Sequence, residues 1–200
     1  MRNFHLPSIR TLKLHSFHRI SEFVNPLFPH LRPILRSLTT FSLNNITIHT
    51  KDLLNLLQGA PNLIDLEFAG SGNVDYALLF KSLSYVTRGG ISPEPLLPKL
   101  ERFFLHVQTL EFGLQVTSFP TDSFVDLIKS RWLLPVASTA TTGTLSRLSE
   151  LTFSARNKLV LKEVEVALFP CCDEGLVGTF EVITGNRWGV EQLLDDIHLY

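Results

Sequence analysis

The chain has 200 residues, of which 44% are hydrophobic and 18% charged, and its net charge is −1. A composition of this kind can bury a sizeable core and is unlike that of disordered chains. The near-neutral charge, without any basic run, leaves no footprint for nucleic acid or an anionic membrane, and no apolar stretch reaches the ~18 residues of a membrane span.

The N-terminal stretch is charged and lacks a continuous apolar core or a small-residue cleavage site, so it reads as mature structure and not as a secretion signal. One motif then repeats along the chain, [Leu/Ile]-x-x-[Leu/Phe]-x-[Leu/Phe], first at Ile9-Leu12-Leu14. Residues 25–33 hold three prolines and read as an ordered, non-helical connection to the second copy, Leu38-Phe41-Leu43. Thr50 is placed to cap a helix carrying Leu53, Leu54, Leu56 and Leu57, which Gly59 and Pro61 end. The third copy follows at Leu63-Leu66-Phe68, and Asp75 is placed to cap a helix with Leu78, Leu79, Leu83 and Val86, ended by Gly89-Gly90. Residues 88–98 form a Gly/Pro loop before the fourth copy, Leu100-Phe103-Leu105. Thr121 is placed to cap a helix with Phe124, Val125, Ile128 and Trp132, and a small polar loop at 138–144 leads to the fifth copy, Leu148-Leu151-Phe153. The loops read as tolerated insertions more readily than as partner contacts.

Successive copies are spaced 29, 25, 37 and 48 residues apart. Pro7, Pro61 and Pro98 each stand two positions before a first core residue, where proline predicts an extended lead-in and stops the preceding helix. Past Asn157 the motif fades. Residues 159–166 leave helix and strand both open, Pro170 is expected to interrupt either, and residues 177–184 alternate well enough for a last strand before a Gly185-Asn186 turn.

Strand, helix, strand in alternation is the logic of a parallel sheet joined by crossovers. Five units over residues 6–156, closed by a cap over 157–200, predict an α/β fold in one domain. Its form is an irregular leucine-rich-repeat solenoid, a curved parallel sheet with helices on the convex side. A doubly wound α/β sheet is the competing arrangement. It is disfavoured because the strands repeat one motif and no Gly-rich phosphate loop follows any of them.

Alternation turns the Leu/Phe positions inward and leaves Thr11, Lys13, His15, Thr40, Ser42, Asn44, Asp65, Glu67, Ala69, Arg102, Phe104, His106, Glu150, Thr152 and Ser154 on the concave face. The candidate partner-binding residues among them are Lys13, His15, Asn44, Asp65, Glu67, Arg102, Phe104, His106 and Glu150. With neighbouring strands about 4.8 Å apart, Asp65, Arg102 and Glu150 line up across three strands. They read either as a ladder ion pair of small net worth or as a patch that selects a charged peptide, with exposed Phe104 as an anchor.

Three segments resemble the leucine-rich-repeat regions of fungal, basidiomycete-type F-box proteins: Ala60-Pro61-Asn62-Leu63-Ile64-Asp65-Leu66, Leu97-Pro98-Lys99-Leu100-Glu101, and the hydrophobic helix Phe124-Val125-Asp126-Leu127-Ile128-Lys129 that ends in Ser130-Arg131-Trp132. The likeness spans about residues 6–188, ending with Glu174-Gly175-Leu176 through Val182-Ile183-Thr184-Gly185. It implies the substrate-recognition part of a ubiquitin-ligase receptor, with a protein partner or ligase substrate on the repeat surface. An F-box, the helical module that docks a Skp-type adaptor, is not visible, so that adaptor is a partner only if an F-box lies upstream. The alternative is a stand-alone repeat scaffold, or a truncated relative, with no ligase link. The Asn that typical leucine-rich repeats place three residues past the strand core is replaced by Phe17, Ile46, Ser71, Gln108 and Arg156, which predicts irregular turns.

Signatures of catalysis are not visible. His15-x-x-His18 has no cysteine or carboxylate support for zinc, and Asp195-Asp196 reads as a solvated helix face. Asp65 and Glu67 share a strand face, with nothing apolar around them to raise a pKa. Cys171 and Cys172 are neighbours, unable to staple distant segments, and no basic residue beside them lowers a thiol pKa. There is no nucleophile elbow, P-loop or dinucleotide fingerprint. The expectation is a non-enzyme without cofactor or metal, in a reducing intracellular compartment, cytoplasmic or nuclear.

Overall fold

The computed structural model describes residues 9–15, 31–46, 48–69, 74–85, 96–107, 119–134 and 145–184. Six strands, β1 (Thr11–His15), β2 (Thr40–Asn44), β3 (Asp65–Ala69), β4 (Arg102–Val107), β5 (Glu150–Ala155) and β6 (Val177–Val182), form one sheet. Every pairing is parallel and the strands lie in chain order, without the reversal of order that a doubly wound sheet has at its switch point.

The register explains the motif. Leu12, Phe41, Leu66, Phe103 and Leu151 are paired across the sheet as one row, and Leu14, Leu43, Phe68, Leu105, Phe153 and Phe180 as a second. In β2 to β5 both rows are buried; at β1 Leu12 and Leu14 are half-buried, and at β6 the first row ends on an exposed Gly178. Behind the sheet lie the helices Thr50–Gln58, Tyr76–Leu83, Thr121–Trp132 and Lys158–Asp173, each packed on the next. One contiguous core fills the space between. Its centre is aromatic: Phe80 and Phe153 each stand 5.0 Å from Phe124, centroid to centroid, and Phe119 is 5.4 Å from Phe153.

Just before each of β2 to β5 the backbone is stitched to the preceding unit in the same way. The carbonyl of Arg10 accepts from the N–H groups of both Thr39 and Thr40, that of Thr39 from Ile64 and Asp65, that of Ile64 from Glu101 and Arg102, and that of Glu101 from Ser149 and Glu150, all at 2.8–3.1 Å. A tight turn leads into this joint: Leu38, Leu63 and Leu100 donate to the carbonyls of Leu35, Ala60 and Leu97. Pro61 and Pro98 therefore sit at the second position of a four-residue turn, where a φ fixed near −65° fits. They do not form the extended lead-in that the sequence suggested.

Several local expectations are corrected. Thr50 does not cap its own helix; His49 is the N-cap, and the Thr50 hydroxyl instead accepts from the Asp75 N–H at 2.7 Å. Thr121 does not cap either; the N-cap is Pro120, with no side-chain bond, and the Thr121 hydroxyl reaches Glu163 at 3.4 Å. Asp75 caps as expected, accepting from the Leu78 N–H at 3.0 Å. Residues 31–35 are helical, so the three-proline connection is not wholly non-helical.

Residues 159–166 fall in a helix, not a strand, and Pro170 does not stop it. Leu161, Val164, Leu168 and Cys171 carry the buried stripe at helical spacing, and Asn157 caps the start. Proline is tolerated near the end because Val166, whose carbonyl loses its donor, and Pro170 are both on the exposed side. The helix that Asp75 caps ends at Leu83 with Ser84 as its C-cap, short of the expected Gly89-Gly90 stop; Gly89-Gly90, Val86, residues 138–144, the Gly185-Asn186 turn, His18 and Asp195-Asp196 lie outside the described residues.

Candidate interaction face

The interleaved side chains of the strands share the face opposite the packed helices, and the register fixes their order. The first row is Thr11, Thr40, Asp65, Arg102, Glu150 and Val177; the second is Lys13, Ser42, Glu67, Phe104, Thr152 and Thr179; the third is His15, Asn44, Ala69, His106, Ser154 and Glu181. All nine candidate residues fall on this face. Lys13, His15 and Arg102 are exposed, and Asn44, Asp65, Glu67, Phe104, His106 and Glu150 are half-buried. Ser42, Ala69 and Ser154, expected to be displayed there, are buried.

Asp65 and Arg102 meet as the alignment implied, and the pair satisfies itself. Arg102 donates from Nε to Oδ1 at 2.5 Å and from Nη2 to Oδ2 at 2.8 Å, the two-pronged geometry that suits a guanidinium and a carboxylate. Thr40 adds a third bond to Oδ2 at 2.9 Å. The Arg102 pKa is raised further by the Asp65 hydrogen bond and charge, with a smaller push from Glu150. Asp65 is thus saturated by its neighbours. In the next rows Asn44 donates from Nδ2 to Glu67 Oε1 at 3.1 Å and to Ser42 Oγ at 3.2 Å. His106 is pushed below the ordinary histidine pKa by burial, against the opposing pull of Glu67 and Glu181.

Two residues of this face escaped sequence reasoning. Thr40 was placed on the face without its role in holding Asp65. Glu181 was missed because the last strand, although recognised by its alternation, was not carried across onto the face; the same alternation that marks residues 177–184 puts Glu181 beside Ser154.

The helix end that carries the resemblance does a different job. Ser130 Oγ accepts from the Tyr85 N–H at 3.0 Å, and Trp132 Nε1 donates to Glu174 at 3.3 Å while Arg147 lies over its ring, 3.2 Å from the centroid. Arg131 is buried and donates to three carbonyls: Leu83 at 2.7 Å, Leu97 at 2.9 Å, and Leu96. Ser130-Arg131-Trp132 therefore ties three consecutive units together, away from the candidate face.

Among the described residues no group of three or more His, Cys, Asp or Glu is placed to hold a metal ion. Burial raises the pKa of both Cys171 and Cys172, which keeps the thiols protonated at neutral pH. No helix among the described residues is long and apolar enough to cross a membrane. Comparisons with protein-family models, with curated proteins and with solved structures find no match.

Proposed function

We propose that the chain is an irregular leucine-rich-repeat solenoid whose polar sheet face docks a protein partner, in the manner of the substrate-recognition part of an F-box ubiquitin-ligase receptor. One observation carries this reading. Five copies of one motif, and a sixth strand after them, pair in chain order so that a continuous row-by-row polar face lies opposite the helices. A parallel sheet in a doubly wound fold is covered on both faces and reads as continuous apolar runs; this one alternates, with charged and polar side chains on its second face. Such a face is built to be seen by another molecule. The raised thiol pKa values and the self-satisfied Asp65–Arg102 pair favour binding over catalysis.

Affinity capture of the tagged full gene product from its native cells tests the reading, with wild type run beside a Glu67→Lys/Phe104→Ala/Glu181→Lys variant. The expected outcome is at least one partner lost from the variant, while a Skp-type adaptor is captured equally by both. Partners that ignore these substitutions refute the docking face. Partners lost from the variant, with no adaptor in either sample, favour the stand-alone scaffold over the ligase receptor.

A further inference from the structure

The polar face is not evenly charged. It carries Lys13 and Arg102 against Asp65, Glu67, Glu150 and Glu181. Arg102 and Asp65 cancel each other through their two bonds, and Lys13 stands on β1, two strands or about 10 Å from Glu67. Three carboxylates are left over on β3, β5 and β6. Glu150 and Glu181 make no hydrogen bond or ion pair among the described residues, and Glu67 has only the neutral Asn44 amide. His106 adds no compensating charge at neutral pH, because burial lowers its pKa.

Phe104 lies inside this triangle. In register it is next to Glu67, about 4.8 Å away along the ladder, and by strand spacing Glu150 and Glu181 are about 8 and 12 Å from it, Cα to Cα. Its ring is half-exposed and makes no ring contact with a described residue. A second, independent feature points to a missing partner. Ser154 is 2% exposed and lies on this face between His106 and Glu181, and among the described residues its Oγ has no hydrogen-bond partner; the Asn44 Oδ1 acceptor in the same row is likewise unsatisfied among them. Buried polar groups are nearly always bonded, so two unused oxygens in one row mark where donors belong.

We propose that the face of β3 to β6 binds an extended basic segment of a partner protein. A Lys or Arg side chain lies over the Phe104 ring, encircled by Glu67, Glu150 and Glu181, and donates to the row that holds Ser154. This rests on the docking reading above and deepens it by naming the partner's chemistry. An ammonium or guanidinium gains from both the ring face and the carboxylates. Alternate side chains of an extended strand point the same way, and positions four residues apart span about 13 Å, close to the roughly 12–16 Å that register and strand spacing put between the carboxylates. The segment is therefore expected to carry two cationic residues four positions apart. The same three carboxylates repel nucleic acid and anionic lipid.

A random 12-residue phage-displayed peptide library panned against the full-length chain tests this, followed by fluorescence anisotropy of the selected peptides. The expected peptides carry Lys or Arg at that spacing, and their affinity falls with added salt. It also falls about tenfold for each of Glu67→Gln, Glu181→Gln and Phe104→Leu, and is unchanged in Lys81→Gln on the helix side. Ser154→Ala is the control for folding: it weakens peptide binding without lowering the thermal midpoint, because the lost oxygen has no hydrogen-bond partner among the described residues. Basic peptides that bind all the variants as they bind wild type overturn the proposal. Acidic or uncharged peptides that are lost on Phe104→Leu overturn the cation preference but keep the docking face. Failure to select any peptide, or peptides indifferent to every change on this face, count against both.

Discussion

Arg131 is 2% exposed and, among the described residues, its charge is held by carbonyl dipoles with no carboxylate paired to it. Burial pulls its pKa down to about 10, which still leaves it cationic at neutral pH. Its three acceptors are the carbonyls at the end of the Tyr76–Leu83 helix and at Leu96 and Leu97, and Leu97 itself adopts a left-handed φ of 56°. Removing the guanidinium leaves buried carbonyls unpaired, at about 1–3 kcal/mol each. Arg131→Met is therefore expected to lower stability by roughly 3 kcal/mol or more, read as a lower urea midpoint with an unchanged slope. Arg131→Lys is not expected to rescue it, because one ammonium cannot span three acceptors in a fixed fork.

His106 governs a pH effect of known sign. Its pKa is lower in the folded chain than the unfolded value of about 6.5, through burial. Between those two values the unfolded state binds a proton that the folded state does not, so stability falls as pH drops below about 6.5. Urea midpoints at pH 7.5 and pH 5.5 should differ more for wild type than for His106→Gln. Equal differences would remove His106 as the source.

At the scale of single elements, the caps divide into those that bond and those that only sit in position. Asp75 accepts from the Leu78 N–H, whereas Thr121 leaves its own helix uncapped. Asp75→Ala should cost about 1 kcal/mol and Thr121→Ala less than about 0.5 kcal/mol, measured by thermal or chemical denaturation. Gly178 is the second test. A Cβ there would lie 2.7 Å from Cys172 Sγ and 2.9 Å from the Phe180 ring, so the Leu/Phe row has no space for a larger residue at β6. Gly178→Ala should destabilise by about 1–3 kcal/mol, and Cys172→Ala added to it should recover part of the loss.

The strands and their alignment were legible because a period-two apolar pattern leaves one choice of face, and five equal copies leave one choice of register. The same alternation places Asp65 beside Arg102. The errors came from residues with more than one way to be satisfied. Thr50 and Thr121 look like caps, but hydroxyls also bond across to a neighbouring unit. Pro61 and Pro98 fit a turn as well as an extended lead-in, and sequence spacing alone does not separate the two. Pro170 was read as a stop, yet near a helix end and on the solvent side its missing donor matters little. The role of Arg131 is not legible in the sequence for the opposite reason: the carbonyls of Leu83, Leu96 and Leu97 that converge on it and make its burial tolerable come from other units.

Among the described residues, every strand pairs only with strands adjacent in sequence, and the helices pack neighbour on neighbour. Stability in such a chain is a sum of local contributions and contacts between nearest units. The ends are the weakest places, with Leu12 and Leu14 half-buried at β1 and Gly178 exposed at β6, while the inward residues of β3 and β4 are fully covered. Native-state hydrogen exchange should therefore be slowest in β3 and β4 and fastest in β1 and β6. Uniform protection across all six strands would show that the chain opens as one block.

The carbonyl joint ahead of β2 to β5 has a genetic consequence. Thr39 receives Ile64 and Asp65 just as Ile64 receives Glu101 and Arg102. Excising the 37 residues 65–101 would bring Arg102 directly behind Ile64, and the junction would read Leu63-Ile64-Arg102-Phe103-Phe104-Leu105, which again spells Leu-x-x-Phe-x-Leu. Both N–H groups that Thr39 needs would still be there. A deletion of this kind would thus need no new seam, and it would narrow the polar sheet face by one strand's width.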